Sequence, residues 1–82
     1  MSAEPGGLRR WEVQRGDDFR SIATQVLHEV WHRQPSEAEV EMFRSSLIQV
    51  NHDRLQEPGN PDLLVPGQIL LVPRTPRPLP AR

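Results

Sequence analysis

Five consecutive residues of this 82-residue sequence spell a pattern with known chemistry: His28-Glu29-Val30-Trp31-His32. On a helix, H-E-x-x-H puts two imidazoles about one turn apart on one face, with the glutamate placed as general base for a zinc-bound water. The surrounding residues argue against that use. Phe19, Ile22, Ala23, Val26, Leu27, Val30 and Trp31 recur at helical i, i+3, i+4, i+7 spacing and form a broad apolar stripe. A helix turns about 100° per residue, so His28 and His32 fall nearly opposite that stripe, toward solvent. His32 also stands where the helix should be ending ahead of Pro35. A zinc site needs a third ligand, and the candidates Glu37, Glu39, Glu41 and His52 carry no distinctive spacing. The chain is too short for a cleft between two lobes. The expectation is no metal site, no catalytic residue and no cofactor.

Other reactive constellations are missing. No Ser-His-Asp set can be assembled, and Gly6-Gly7 is not followed by a helix start, so there is no phosphate-cradling loop. The sequence has no cysteine, which rules out disulfides, iron–sulfur clusters and thiolate zinc. All ten basic residues are arginine against eleven acidic ones, a formal net charge of -1. That balance excludes binding driven by nucleic-acid phosphates, which needs a basic stripe. The longest wholly apolar run is Ile69-Leu70-Leu71-Val72, against about 20 residues for a membrane-spanning helix. A chain this short forms one domain with little stability to spare, which favours a shallow binding surface over a strained catalytic cleft.

The elements follow from patterning. Residues 1–7 read as a flexible lead without the apolar stretch of a secretory signal. In the strand predicted over 8–14, Trp11 and Val13 share one face, with Arg10, Glu12 and Gln14 on the other. Gly16 supplies a turn, and Asp18 stands where a carboxylate caps the first helix. Ser36 and Glu39 have capping-box spacing and open a second helix whose face is Val40, Phe43, Leu47 and Val50, flanked by Ile48. It should stop near Val50-Asn51, with Asn51 tying the helix end to the loop that follows. Residues 52–67 form a long loop rich in proline and glycine, and Leu63-Leu64-Val65 should pack within it. A last strand over 68–72 sends Leu70 and Val72 one way and Ile69 and Leu71 the other. Residues 74–82 alternate prolines and read as an extended, disordered tail or linker. Two strands alone are marginal. The predicted class is therefore α+β: strand-helix-helix-strand over 8–73, with both helices on one face of a two-stranded antiparallel sheet.

Two strings within this frame resemble a known family. Residues 11–23, Trp-Glu-Val-Gln-Arg-Gly-Asp-Asp-Phe-Arg-Ser-Ile-Ala, resemble the opening of the LysM domain, with its aromatic, Val, Gly-Asp and Ser-Ile-Ala. Asn51 and the string Pro66-Gly67-Gln68-Ile69-Leu70-Leu71-Val72-Pro73 resemble its close. The resemblance covers about residues 10–73. Asp18 replaces the usual Thr or Ser, Arg20 replaces a frequent aromatic, and the segments 22–51 and 51–66 look longer than in a typical member.

The resemblance implies a non-catalytic carbohydrate-binding module for cell-wall glycan containing N-acetylglucosamine, either peptidoglycan or chitin. It places the ligand in a shallow groove, with Gly16, Asp17, Asp18 and Phe19 on one wall and Leu63, Leu64, Val65 and Pro66 on the other. It also implies a cell-wall, extracellular or virion-associated setting. The residues themselves allow plainer roles. Gly16 serves as a turn residue, Asp17 and Asp18 as helix caps, Leu63 to Val65 as core, and Pro66-Gly67-Gln68 as the turn into the last strand. A second expectation keeps the fold and changes the role. LysM-like domains also serve as adaptors in phage tails, baseplates and contractile injection machines, and here residues 52–82 would meet protein partners.

Overall fold

The computed structural model describes residues 9–55, 59–60 and 63–79, so the lead at 1–7 lies outside the described residues. The elements are β1 (Arg9–Glu12), α1 (Phe19–Trp31), α2 (Glu37–Val50) and β2 (Ile69–Val72), with a 3-10 turn at His52–Arg54 after α2. The fold is α+β, with two helices packed on one face of a two-stranded antiparallel sheet.

Both helices begin where the sequence predicts. The Asp18 carboxylate accepts from the Ser21 backbone N–H at 2.7 Å, and the Asp18 N–H donates to the Ser21 hydroxyl at 3.0 Å. This reciprocal pair is a second capping box, with a serine in the place usual for Glu or Gln. At α2 the Glu39 N–H donates to the Ser36 hydroxyl at 3.2 Å, and the Ser36 N–H donates to the Glu39 carboxylate at 2.8 Å. α1 ends at His32, which takes a left-handed conformation (φ 57°) and donates its N–H to the His28 carbonyl. Replacing Asp18 with alanine should cost about 1 kcal/mol, the usual loss for an N-cap, read from urea unfolding.

The register pairs Trp11 with Leu70 and Arg9 with Val72 on the helix side, and Arg10 with Leu71 and Glu12 with Ile69 on the other. Leu70 and Val72 are buried, whereas Ile69 is 45% exposed. Val13, Phe19, Ile22, Ala23, Val26 and Leu27 from the first half of the chain meet Val40, Phe43 and Leu47 of α2, and Leu55 closes the cluster. The apolar stripe of α1 outruns this core: Val30 is 44% exposed, and Trp31 packs only at its margin.

The surroundings of Asn51 and of the C-terminal segment differ from the sequence expectation. Asn51 is fully buried, and among the described residues its side chain bonds to Leu47 and Leu71, not to the loop that follows. Its carboxamide donates to the Leu47 and Leu71 carbonyls, both at 2.8 Å, and its oxygen accepts from the Leu71 N–H at 2.7 Å. It therefore ties α2 to the outer edge of β2, where a third strand would otherwise sit.

The proline-bearing C-terminal segment is not a free tail over its described residues, which end at Leu79. It runs back to the helices, where the Trp31 indole donates to the Pro76 carbonyl at 3.2 Å and the Leu79 N–H donates to the Glu39 carboxylate at 2.9 Å. Alternating prolines remove the donors a sheet would need, but they leave the carbonyls and the N–H of Leu79 to be satisfied by side chains.

Glu39 is the hub of that end of the molecule, 5% exposed as a residue. Its carboxylate takes two bonds from the Arg33 guanidinium, at 3.2 and 2.9 Å. The Arg33 pair, then the Ser36 N–H, with a further contribution from Leu79, hold its pKa at about 2 instead of 4.5, against the opposing effect of burial. A depressed carboxylate pKa stabilises the fold above the ordinary value and stops doing so as the group protonates. Glu39 should thus contribute fully above pH 4.5 and progressively less down to about 2. Urea titrations between those limits should show a wild-type decline that Glu39→Gln lacks.

Candidate functional site

The two turns the resemblance singles out are brought together by continuation of the strand ladder. Beyond β1 and β2, the Val13 N–H donates to the Gln68 carbonyl at 2.8 Å and the Gly67 N–H donates to the Val13 carbonyl at 2.7 Å. The chain leaves β1 into residues 14–18 at the same end of the sheet where residues 63–68 enter β2, so the turns are neighbours.

Each turn is rigidified by one polar side chain. In the first, the Asp17 N–H donates to the Gln14 carbonyl at 2.9 Å, and the Asp17 carboxylate accepts from the Gln14 N–H at 2.9 Å and the Trp11 indole at 3.2 Å. In the second, the Gln68 N–H donates to the Val65 carbonyl at 3.0 Å, and the Gln68 carboxamide accepts from the Val65 N–H at 3.2 Å. The same carboxamide donates to the Arg54 carbonyl at 2.9 Å, fastening the loop to the 3-10 turn. In the sequence, Pro66-Gly67-Gln68 signals only a turn, and the clamp to a residue fourteen positions back has no local signature. Gly16 (φ +88°) and Gly67 (φ +90°) occupy left-handed positions with open space where a Cβ would stand. Gly67→Ala should therefore cost about 1–2 kcal/mol through backbone conformation alone, checked by thermal unfolding.

The eight expected site residues divide by what their side chains are doing. Phe19 is 0% exposed, and its side chain belongs to the core. Asp17 holds the first turn and does not cap α1. Asp18 is the cap, as expected. Gly16 supplies backbone. On the opposite side Leu64 is half-buried against the core, whereas Leu63 and Val65 are 41% and 44% exposed and Pro66 is exposed. Among the described residues, the apolar surface is thus offered by the second turn, through Leu63, Val65 and Pro66. Arg20, where the LysM resemblance would lead one to expect an aromatic, bridges from α1 to α2, 2.7 Å from Glu37 and 3.9 Å from Glu41. These partners are exposed, and such pairs contribute roughly 0–1 kcal/mol.

The adjacent turns offer backbone polar groups, two carboxylates already committed to N–H donors, and exposed apolar side chains. That inventory can hold a neutral polar ligand with an apolar face. His28 and His32 are both exposed, and among the described residues no three His, Cys, Asp or Glu side chains are grouped to hold a metal ion. Nor, among them, is any helix long and apolar enough to cross a membrane. Comparison with protein-family models, with curated proteins and with solved structures finds no match to this chain. The family resemblance therefore rests on the two sequence motifs alone.

Proposed function

We propose that this chain is a LysM-like, non-catalytic module that binds cell-wall glycan containing N-acetylglucosamine, peptidoglycan or chitin, in the recess between its two turns. The supporting observation is the bonding of Val13 to Gly67 and Gln68, which sets residues 14–18 beside 63–68 and leaves Leu63 and Val65 facing outward. Backbone amides of two rigid turns are suited to an acetamido group, and the exposed leucine and valine are suited to its methyl and to a sugar face. Preorganised turns lose little conformational freedom on binding. A single shallow site binds weakly, and tight attachment comes from several copies or a tethered partner. The setting that follows is the cell wall, the extracellular space or a virion.

Co-sedimentation with purified peptidoglycan and with chitin tests this. The wild-type protein should be retained, and Leu63→Asp/Val65→Asp should be lost from the pellet with its unfolding midpoint nearly unchanged. A folded wild-type protein left wholly in the supernatant by both polymers contradicts the reading.

The exposed outer sheet face favours a second reading, an adaptor in a phage tail, baseplate or contractile injection assembly. Ile69 is 45% exposed there beside half-buried Leu71. That role predicts loss of a co-purified protein on Ile69→Arg, with glycan retention absent from the start.

A further inference from the structure

At the end of the molecule where α1 stops and α2 starts, the helices present Trp31, Glu39 and Met42, and Pro76, Arg77 and Leu79 of the C-terminal segment lie across from them, the two sides enclosing a small crevice. Contacts among the helix-end residues themselves help to set its helical side. The Arg33 guanidinium lies 5.0 Å from the centre of the Trp31 ring and pairs with Glu39 at 2.9 Å, so one arginine positions both polar anchors. Met42, 58% exposed, adds an adaptable apolar side chain to the lining.

The segment 73–79 sits on this surface in the manner of a ligand. The buried core ends at Val72, and none of residues 73–79 is buried. The segment is held instead by an indole N–H on the Pro76 carbonyl and a carboxylate on the Leu79 N–H. These contacts are three residues apart, one turn of a polyproline helix. Pro76 and Pro78 restrict the backbone beforehand, so ordering it costs little. An aromatic donor beside an apolar side chain is the chemistry by which grooves read proline-rich segments.

We propose that the helical surface formed by Trp31, Glu39 and Met42 is a recognition site for Pro-x-Pro-hydrophobic segments, covered here by residues 76–79 of the same chain. This site is independent of the glycan recess and of its proposed role. The bound segment covers this surface in cis, so an equivalent segment from outside gains access only by displacing it.

The test uses the full chain carrying Pro76→Gly and Leu79→Gly, which weakens the internal ligand and leaves Trp31, Glu39 and Met42 intact. A synthetic peptide of residues 73–79 is titrated while the Trp31 indole and Met42 methyl resonances are followed. Both should shift saturably, at peptide concentrations at least about tenfold below those the wild-type chain requires, because a tethered segment competes at an effective concentration of order millimolar. Trp31→Phe in the same background keeps a ring and loses the donor, and should weaken binding about 2–10-fold. In the wild-type chain, excess peptide should shift the Leu79 amide as the tail is displaced, a readout that needs no variant to fold. No movement of Trp31 or Leu79 at several millimolar peptide overturns the proposal. Equal binding by a peptide with its prolines changed to alanine overturns it as well.

Discussion

Asn51→Ala should destabilise the protein by about 3 kcal/mol, because it leaves the Leu71 N–H and C=O without their partners. The Asn51 carboxamide presents a donor and an acceptor to the outer edge of β2, as a neighbouring strand would. Such edges are otherwise open to pairing with other chains. The same side chain holds the Leu47 carbonyl at the end of α2. In a domain with only a few kcal/mol to spare, the loss should lower Tm by more than about 10 °C. Asn51→Asp keeps the acceptor for the Leu71 N–H but puts a charge at a fully buried position and faces two carbonyls, so it should be no better than alanine. A change within about 0.5 kcal/mol for Asn51→Ala, the range of ordinary surface substitutions, would remove the carboxamide from the account of the sheet.

Phe19→Ala should cost about 3–5 kcal/mol, the usual loss for a large buried aromatic, and should leave much of the protein unfolded. Phe19→Leu keeps most of the volume and should cost less than about 1.5 kcal/mol. The pair separates two roles. A ring contacting sugar would lose glycan retention on Phe19→Leu while stability held. A core ring, as its full burial indicates, predicts retention by Phe19→Leu in proportion to the folded fraction. Circular dichroism melts alongside co-sedimentation give both readings.

Local patterns carried most of the fold. The seven-residue stripe defined α1, and the Ser36–Glu39 spacing fixed the start of α2. The alternation of Trp11 with Val13 and of Leu70 with Val72 gave each strand its inner face. The pairing of strands more than fifty residues apart followed from there being only two of them and one apolar face each to cover. What sequence missed were contacts with no local signature. Two adjacent aspartates look equally like caps, and the Trp11 indole, six residues back, is what draws Asp17 into the turn. Glu39 announces a capping box, but nothing nearby announces that Leu79 will come back to it. Alternating prolines signal the loss of sheet donors and are silent about a tryptophan waiting for a carbonyl. The exposed Leu63 and Val65 were legible only as an apolar run, because burial of Leu64 alone depends on how the loop meets the core.

The shared recess is the central claim, and titration of the isotope-labelled protein with an N-acetylglucosamine oligomer tests it most directly. The account predicts that amide resonances of residues 16–19 and 63–67 move together along one saturable curve, while those around Ile69 and Met42 stay still. Movement of one turn without the other, or of neither in a folded sample, would contradict it.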